Sequence, residues 1–137
     1  MQPAPIDKTI SLLRKEYPHA KYYLNFSNPL ELLVAAILSA QVRDTVVNTT
    51  TPHLFKKYRK ANDYANADLE ELTGVIKSVT FANNKARNVI AACKILVEKH
   101  GGKVPDTIEE LTELPGIGRK TAHAILQNAF GTVEGII

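Results

Sequence analysis

At 137 residues, with 45% hydrophobic and 23% charged side chains, the chain has the composition of an ordinary globular protein and the length of one domain with a real core. The formal net charge is +3 and the pI about 9.0, a basic balance compatible with a nucleic-acid partner but short of establishing one. A single cysteine, Cys93, excludes an intrachain disulfide and any multi-cysteine metal site within the chain, and the longest apolar run, LLVAAIL, is too short to cross a bilayer.

The N-terminus, MQPAPIDKTI, lacks the charged-then-apolar pattern of a signal peptide. The expected setting is therefore intracellular and soluble, in the cytoplasm or nucleoid (the nucleus in a eukaryote), without membrane association. Helical spacing begins at once: Ile6, Ile10, Leu13 and Tyr17 share a stripe that Pro18 stops. The next helix opens with Asn28 as cap, Pro29 at the first helical position and Glu31 completing a capping box. Leu30, Leu32, Leu33, Val34, Ile37 and Leu38 leave it no polar face, so it should run through the middle of the core.

A third segment starts at Asp44, a good cap, and contains Pro52, expected to kink or divide it. Asp68 and Glu71 form another capping box, with Leu69, Leu72, Val75, Ile76 and Val79 inward. Ala86, Val89, Ile90, Cys93, Leu96 and Val97 recur at helical spacing until Gly101 and Gly102 end the pattern, and Cys93 reads as a small buried thiol. Thr107 and Glu110 cap a short helix carrying Ile108 and Leu111, and RKTAHAILQNAF forms the last helix, closed by Gly131. About seven helices joined by short loops, with no repeat or linker, make an all-α protein.

Between the last two helices stands LPGIGRKTA. Gly116 and Gly118 permit a sharp turn with uncovered backbone N–H groups, and a helix beginning near Arg119 points free amides and the positive end of its dipole at the turn. That is a ready site for a phosphate oxygen, read without regard to base sequence. An αα-turn with glycines for geometry alone is the plainer alternative.

The complete string resembles the helix–hairpin–helix of base-excision DNA glycosylases. LNFSNPLELLVAAILSAQVRDTVVN and VTFANNKARNVIAACKILVEKHGGKVPDTIEELTELPGIGRKTA are similar, in order and spacing, to endonuclease III-like members of that superfamily, so the likeness covers nearly all of the chain. The resemblance implies that residues 1–22 are the N-terminal helix of a second domain completed from the C-terminal side, and that 23–137 form the helical glycosylase domain, with the hairpin motif at 107–129 and without its C-terminal continuation. The implied partner is double-stranded DNA containing damaged bases or abasic sites.

By the same resemblance Lys120 is the nucleophile. A neutral amine is required, and a helix N-terminus, neighbouring Arg119 and desolvation in a closed cleft would all disfavour the ammonium form. A solvated lysine at a helix start is the alternative. Gly116, Ile117, Gly118, Arg119 and Thr121 would meet the DNA backbone with it. Gln41 would fill the gap left by an extruded nucleotide. Asp44 would line the lesion pocket, although an N-cap role explains it equally well. Phe81 would be an apolar wedge, with core packing as competitor, and Asn83, Asn84 and Lys85 would contact the strand. The basic run Lys56, Lys57, Arg59 and Lys60 reads as a solvated face. His100 and His123 have no partner at ligand spacing and receive no role, and no metal site is expected in this chain.

The family pattern places an aspartate in a Val-Asp-Thr-His-like stretch beyond the last helix, and many full-length relatives carry four cysteines that hold a [4Fe–4S] cluster. GTVEGII stops before both, so the sequence covers roughly two thirds of a typical member. Glu134 stands earlier than the expected carboxylate and is not given its role. The expected activity is excision of oxidised pyrimidines with abasic-site β-lyase chemistry, impaired in this chain. A mismatch-specific glycosylase and a non-catalytic DNA-binding module are the alternatives. Apolar surface left bare would favour self-association or a complementing chain.

Overall fold

The computed structural model describes residues 24–130. Seven helices are present among them: α1 (Pro29–Leu38), α2 (Asp44–Lys57), α3 (Ala61–Ala65), α4 (Leu69–Val75), α5 (Ala82–His100), α6 (Ile108–Thr112) and α7 (Arg119–Phe130). No strand occurs in this range, as the all-α reading requires. The helix expected over Ile6–Tyr17, and the closing residues Gly131 and Glu134, lie outside the described residues.

α1 is the centre. Every side chain from Leu32 to Leu38 is buried, and the helix packs against α2, α5 and α7. Its start follows its sequence: the Asn28 side chain accepts from the Glu31 N–H at 2.8 Å, and Pro29 takes the first helical position, where its missing N–H costs nothing. The return bond of the expected capping box is displaced by one residue. Glu31 accepts from the N–H and the hydroxyl of Ser27, at 2.7 and 2.8 Å, and not from the Asn28 amide.

Two expectations for α2 are corrected. Its N-cap is Arg43, and Asp44 is the first helical residue, where a carboxylate suits the dipole without acting as a cap. Pro52 does not divide the helix, which runs unbroken to Lys57. Thr50 faces inward instead, donating to the Val46 carbonyl at 3.0 Å and meeting Ser78 Oγ at 3.1 Å, so α2 is tied to the turn after α4.

α3 was not legible in the sequence. Five residues carry too little periodicity, and the helix is organised by tertiary partners. Tyr64 is buried and stacks on Tyr58 with ring centroids 5.1 Å apart. Asp63 Oδ2 accepts from the Arg59 and Lys60 amides at 2.9 and 3.0 Å, and these bonds hold its carboxyl below the ordinary carboxylate range. α3 and α4 both lean on α5, whose inner stripe of Ala86, Val89, Cys93 and Leu96 is buried as expected. Val97, expected inside, is instead 37% exposed. With Leu30, Val104 and the 39% exposed Phe130 it lines an open cleft that Arg59 and Lys60 also border.

Three outcomes follow from this packing. Leu33→Ala in α1 should lower unfolding free energy by about 2–5 kcal/mol in urea titration, because its neighbours are held from every side and cannot collapse into the gap. Burial pushes the Cys93 thiol up to about 12, so iodoacetamide at pH 8 should label it only after denaturant unfolds the chain. Asp63 has a depressed folded-state pKa, so its contribution is present above the ordinary value of 3.8 and fades as pH falls through the lower folded value. Asp63→Ala should therefore lower the melting temperature at pH 7, and the difference should shrink in acid.

Candidate nucleic-acid interface

The hairpin joining α6 to α7 is pinned from below by Leu114 and Ile117, both buried. The Ile117 N–H donates to the Leu114 carbonyl at 3.1 Å, closing the turn on itself. Ile117 is thus a core anchor, 5% exposed, with its amide engaged inside the turn.

The two glycines differ in cause. Gly116 has φ +88°, and a Cβ there would stand 3.3 Å from both Asn88 Nδ2 and Ile37 Cγ2, so backbone and space each demand glycine. Gly118 meets no such requirement among the described residues: none of their heavy atoms lies within 4 Å of where its Cβ would be. Gly118 accepts the Ala122 N–H at 2.9 Å and begins α7 without a side chain to cap it. The first-turn amides of α7 have no carbonyl within the helix to bond, and this cap offers them no side-chain acceptor. Arg119 and Lys120 are exposed at that end, and Thr121 is half-buried.

Gln41 and Phe81 share an unusual property. They are the non-glycine residues with positive φ among the described residues, at +62° and +59°. Long and aromatic side chains gain nothing from the left-handed region, which costs of order 1–3 kcal/mol per residue. Phe81 is also 59% exposed, which removes core packing as its explanation. Gln41 is exposed as well, as are Asn83 and Asn84 in the first turn of α5. Asp44 is half-buried in the first turn of α2.

Lys85 departs from expectation. It is 5% exposed, its Nζ donates to the Ala40 carbonyl, and burial pushes its pKa below the ordinary lysine range. In this fold it is an internal tie between α5 and the end of α1. The signal was present: Lys85 precedes Val89 by four residues and so lies on the apolar stripe of α5. Asn88 was missed altogether, because nothing in the sequence announces that a hairpin glycine will rest on it.

These contacts gather the parts. Gly116 rests on Ile37 of α1 and Asn88 of α5, and Lys85 of α5 reaches Ala40 just beyond α1. The Gln41 turn, the Phe81 turn and the hairpin therefore converge on one end of the bundle. The basic run behaves as a solvated face: Lys56, Lys57, Arg59 and Lys60 are exposed, and Lys57 pairs with Glu71 at 2.8 Å.

A [4Fe–4S] cluster takes four thiolates, whereas this chain has one cysteine, buried in the core. Among the described residues no three His, Cys, Asp or Glu side chains gather as ligands.

The sequence profile of the HhH-GPD superfamily base excision DNA repair proteins matches residues 34–133. Endonuclease III of Synechocystis sp. is 46% identical over 125 residues, 91% of this chain and 57% of that protein. A non-covalent endonuclease III–DNA complex superposes with a TM-score of 0.80 at 44% identity, over 90% of this chain and 58% of the other. A trapped endonuclease III–DNA covalent intermediate gives the same TM-score at 42% identity, over 93% and 62%. The chain thus spans little more than half the length of these relatives.

The glycines make the geometry testable without any ligand. Gly116→Ala should lower stability by about 1–3 kcal/mol through its positive φ and crowded Cβ, and Gly118→Ala by no more than about 0.5 kcal/mol, in the same urea titration.

Proposed function

Because the chain belongs to the HhH-GPD superfamily of base excision DNA repair proteins, we propose that it grips duplex DNA through the 116–121 hairpin and turns the amine of Lys120 on the sugar of a damaged or abasic nucleotide. The observation that carries this reading is the uncapped start of α7, with Lys120 exposed in its first turn and an unobstructed Gly118 before it. A phosphate oxygen can approach those amides as closely as glycine allows, and the helix dipole favours its charge. The contact holds the strand by its backbone and leaves base choice to other residues.

Gln41 and Phe81 supply the second half of the proposal. An exposed glutamine and an exposed phenylalanine, each in a backbone conformation the chain disfavours, suit insertion into a duplex whose damaged nucleotide has swung out. Unstacking costs a few kcal/mol, which phosphate contacts at the hairpin can offset.

In the reaction we assign, Lys120 Nζ, unprotonated, attacks C1′. The N–C1′ bond forms, and the glycosidic bond breaks, its electron pair leaving with a base that takes up a proton. The amine then gives up a proton and its lone pair expels O4′, which takes up a proton as the sugar ring opens; the iminium so formed acidifies the C2′ proton, whose loss expels the 3′ phosphate with the C3′–O electron pair, and water then frees the lysine. At an abasic site C1′ is already electrophilic and no base need depart. Exposed Lys120 must lose its own proton first, so the desolvation this asks for would come from bound DNA or from residues beyond those described. Excision of an oxidised pyrimidine requires the glycosidic bond to break first and an abasic site does not, so the abasic duplex is the faster substrate. The apolar cleft around Val97 and Phe130 supports contact with a second polypeptide, either another copy or a complementing one.

Borohydride trapping tests the chemistry. Abasic duplex should give a covalent adduct with the wild-type chain and none with Lys120→Ala, whose DNA affinity should stay within about twofold. An adduct that survives in Lys120→Ala would overturn the assignment. DNA binding without any wild-type adduct would favour a non-catalytic binding module. An adduct on damaged-base DNA as strong as on abasic DNA would refute the faster reaction at abasic sites. Gly118→Ala should cost about tenfold in affinity, or about 1.4 kcal/mol, while leaving the fold intact.

A further inference from the structure

We propose that Lys85 is a positioning residue: it holds the Gln41 turn and the Phe81 turn in one fixed relation, so that both side chains enter a duplex together. The inference rests on the repair reading above, which treats Gln41 and Phe81 as the inserting pair, and adds what sets their geometry.

Two nitrogens of one residue make the link. The Lys85 backbone N–H donates to the Phe81 carbonyl at 3.0 Å, closing the first turn of α5, whose cap is the left-handed Phe81. The Lys85 ammonium donates to the carbonyl of Ala40, the residue before left-handed Gln41. Both strained positions are thus tied to Lys85, whose side chain is buried.

The bond to Ala40 acts on a particular torsion. Ser39 to Val42 form a four-residue turn closed by the Val42 N–H donating to the Ser39 carbonyl at 3.0 Å. Ala40 and Gln41 are its central residues, and the Ala40 carbonyl belongs to the peptide that joins them. Flipping that central peptide is what interconverts turns with negative and positive φ at the third residue. With φ negative there, Gln41 would lose its strain, and the Ala40 carbonyl would swing off the Lys85 ammonium. A buried ammonium left without its acceptor costs more than the strain relieved, so the strained turn persists. The ammonium also sits at the C-terminal end of α1, where the helix dipole favours a cation.

Lys85→Met keeps most of the stem and removes the donor. In the free protein, the three-bond HN–Hα coupling of Gln41 should change from the positive-φ to the negative-φ value. In binding assays, preference for abasic over intact duplex should fall about tenfold, with intact-duplex affinity within about twofold of wild type. A lysine that served folding alone would lower the melting temperature and both affinities together, and that pattern would overturn the proposal. So would a Gln41 coupling unchanged in Lys85→Met. If Gln41 relaxes while the preference stands, the turn does not govern insertion and the proposal fails there. A wild-type chain indifferent to abasic sites would instead sink the repair reading, and the pairing role with it, whatever the coupling shows. Should Lys85→Met not fold, the wild type answers alone: its Lys85 ammonium protons should exchange slowly and show a through-space contact to Gln41 Hα, and free exchange without that contact would overturn the bond itself.

Discussion

Enclosure of α1 is the constraint on which the remaining structure depends. A ten-residue helix with no polar face has to be covered from every direction, and α2, α5 and α7 do so. Once it is enclosed, its two ends become fixed points. The far end emerges between α5 and the hairpin, with Ile37 against Gly116 and Ala40 against Lys85. The chemistry assigned to the hairpin is therefore placed by hydrophobic packing, and charge has little part in bringing it there.

The site is built from backbone more than from side chains. Gly116 is spent on internal fit, since its missing Cβ lets the hairpin settle on α1 and α5. Gly118 is open outward among the described residues. Gln41 and Phe81 extend the same logic: both have left-handed backbones, and such strain survives only where surrounding structure over-determines it. Lys85 supplies that over-determination from the protein interior, bonding the backbone beside each of them.

Much of this was legible beforehand. The caps at Asn28, Asp68 and Thr107 were readable because a cap bonds an amide two or three residues away. The inner stripes of α1 and α5 were readable because helical periodicity is written in neighbouring turns. The start of the last helix at Arg119 followed from the glycines before it. Where reading went astray, the deciding partner was distant in sequence or the segment was too short for a pattern. α3 depends on Tyr64 stacking on Tyr58 and packing on α5, and the buried state of Ile117 depends on what lies beneath the hairpin.

Sequence alone determined the all-α class, most helix boundaries and the hairpin, because each is set by interactions spanning a turn or two of helix. Only the tertiary structure decided which carbonyl Lys85 reaches, that Phe81 stands in solvent, and that Gly116 and Gly118 are glycines for different reasons. The carbonyl that claims Lys85 is 45 residues away, and the atoms that crowd Gly116 come from two other helices. No local pattern encodes such neighbours, because burial of the apolar faces is what brings them together.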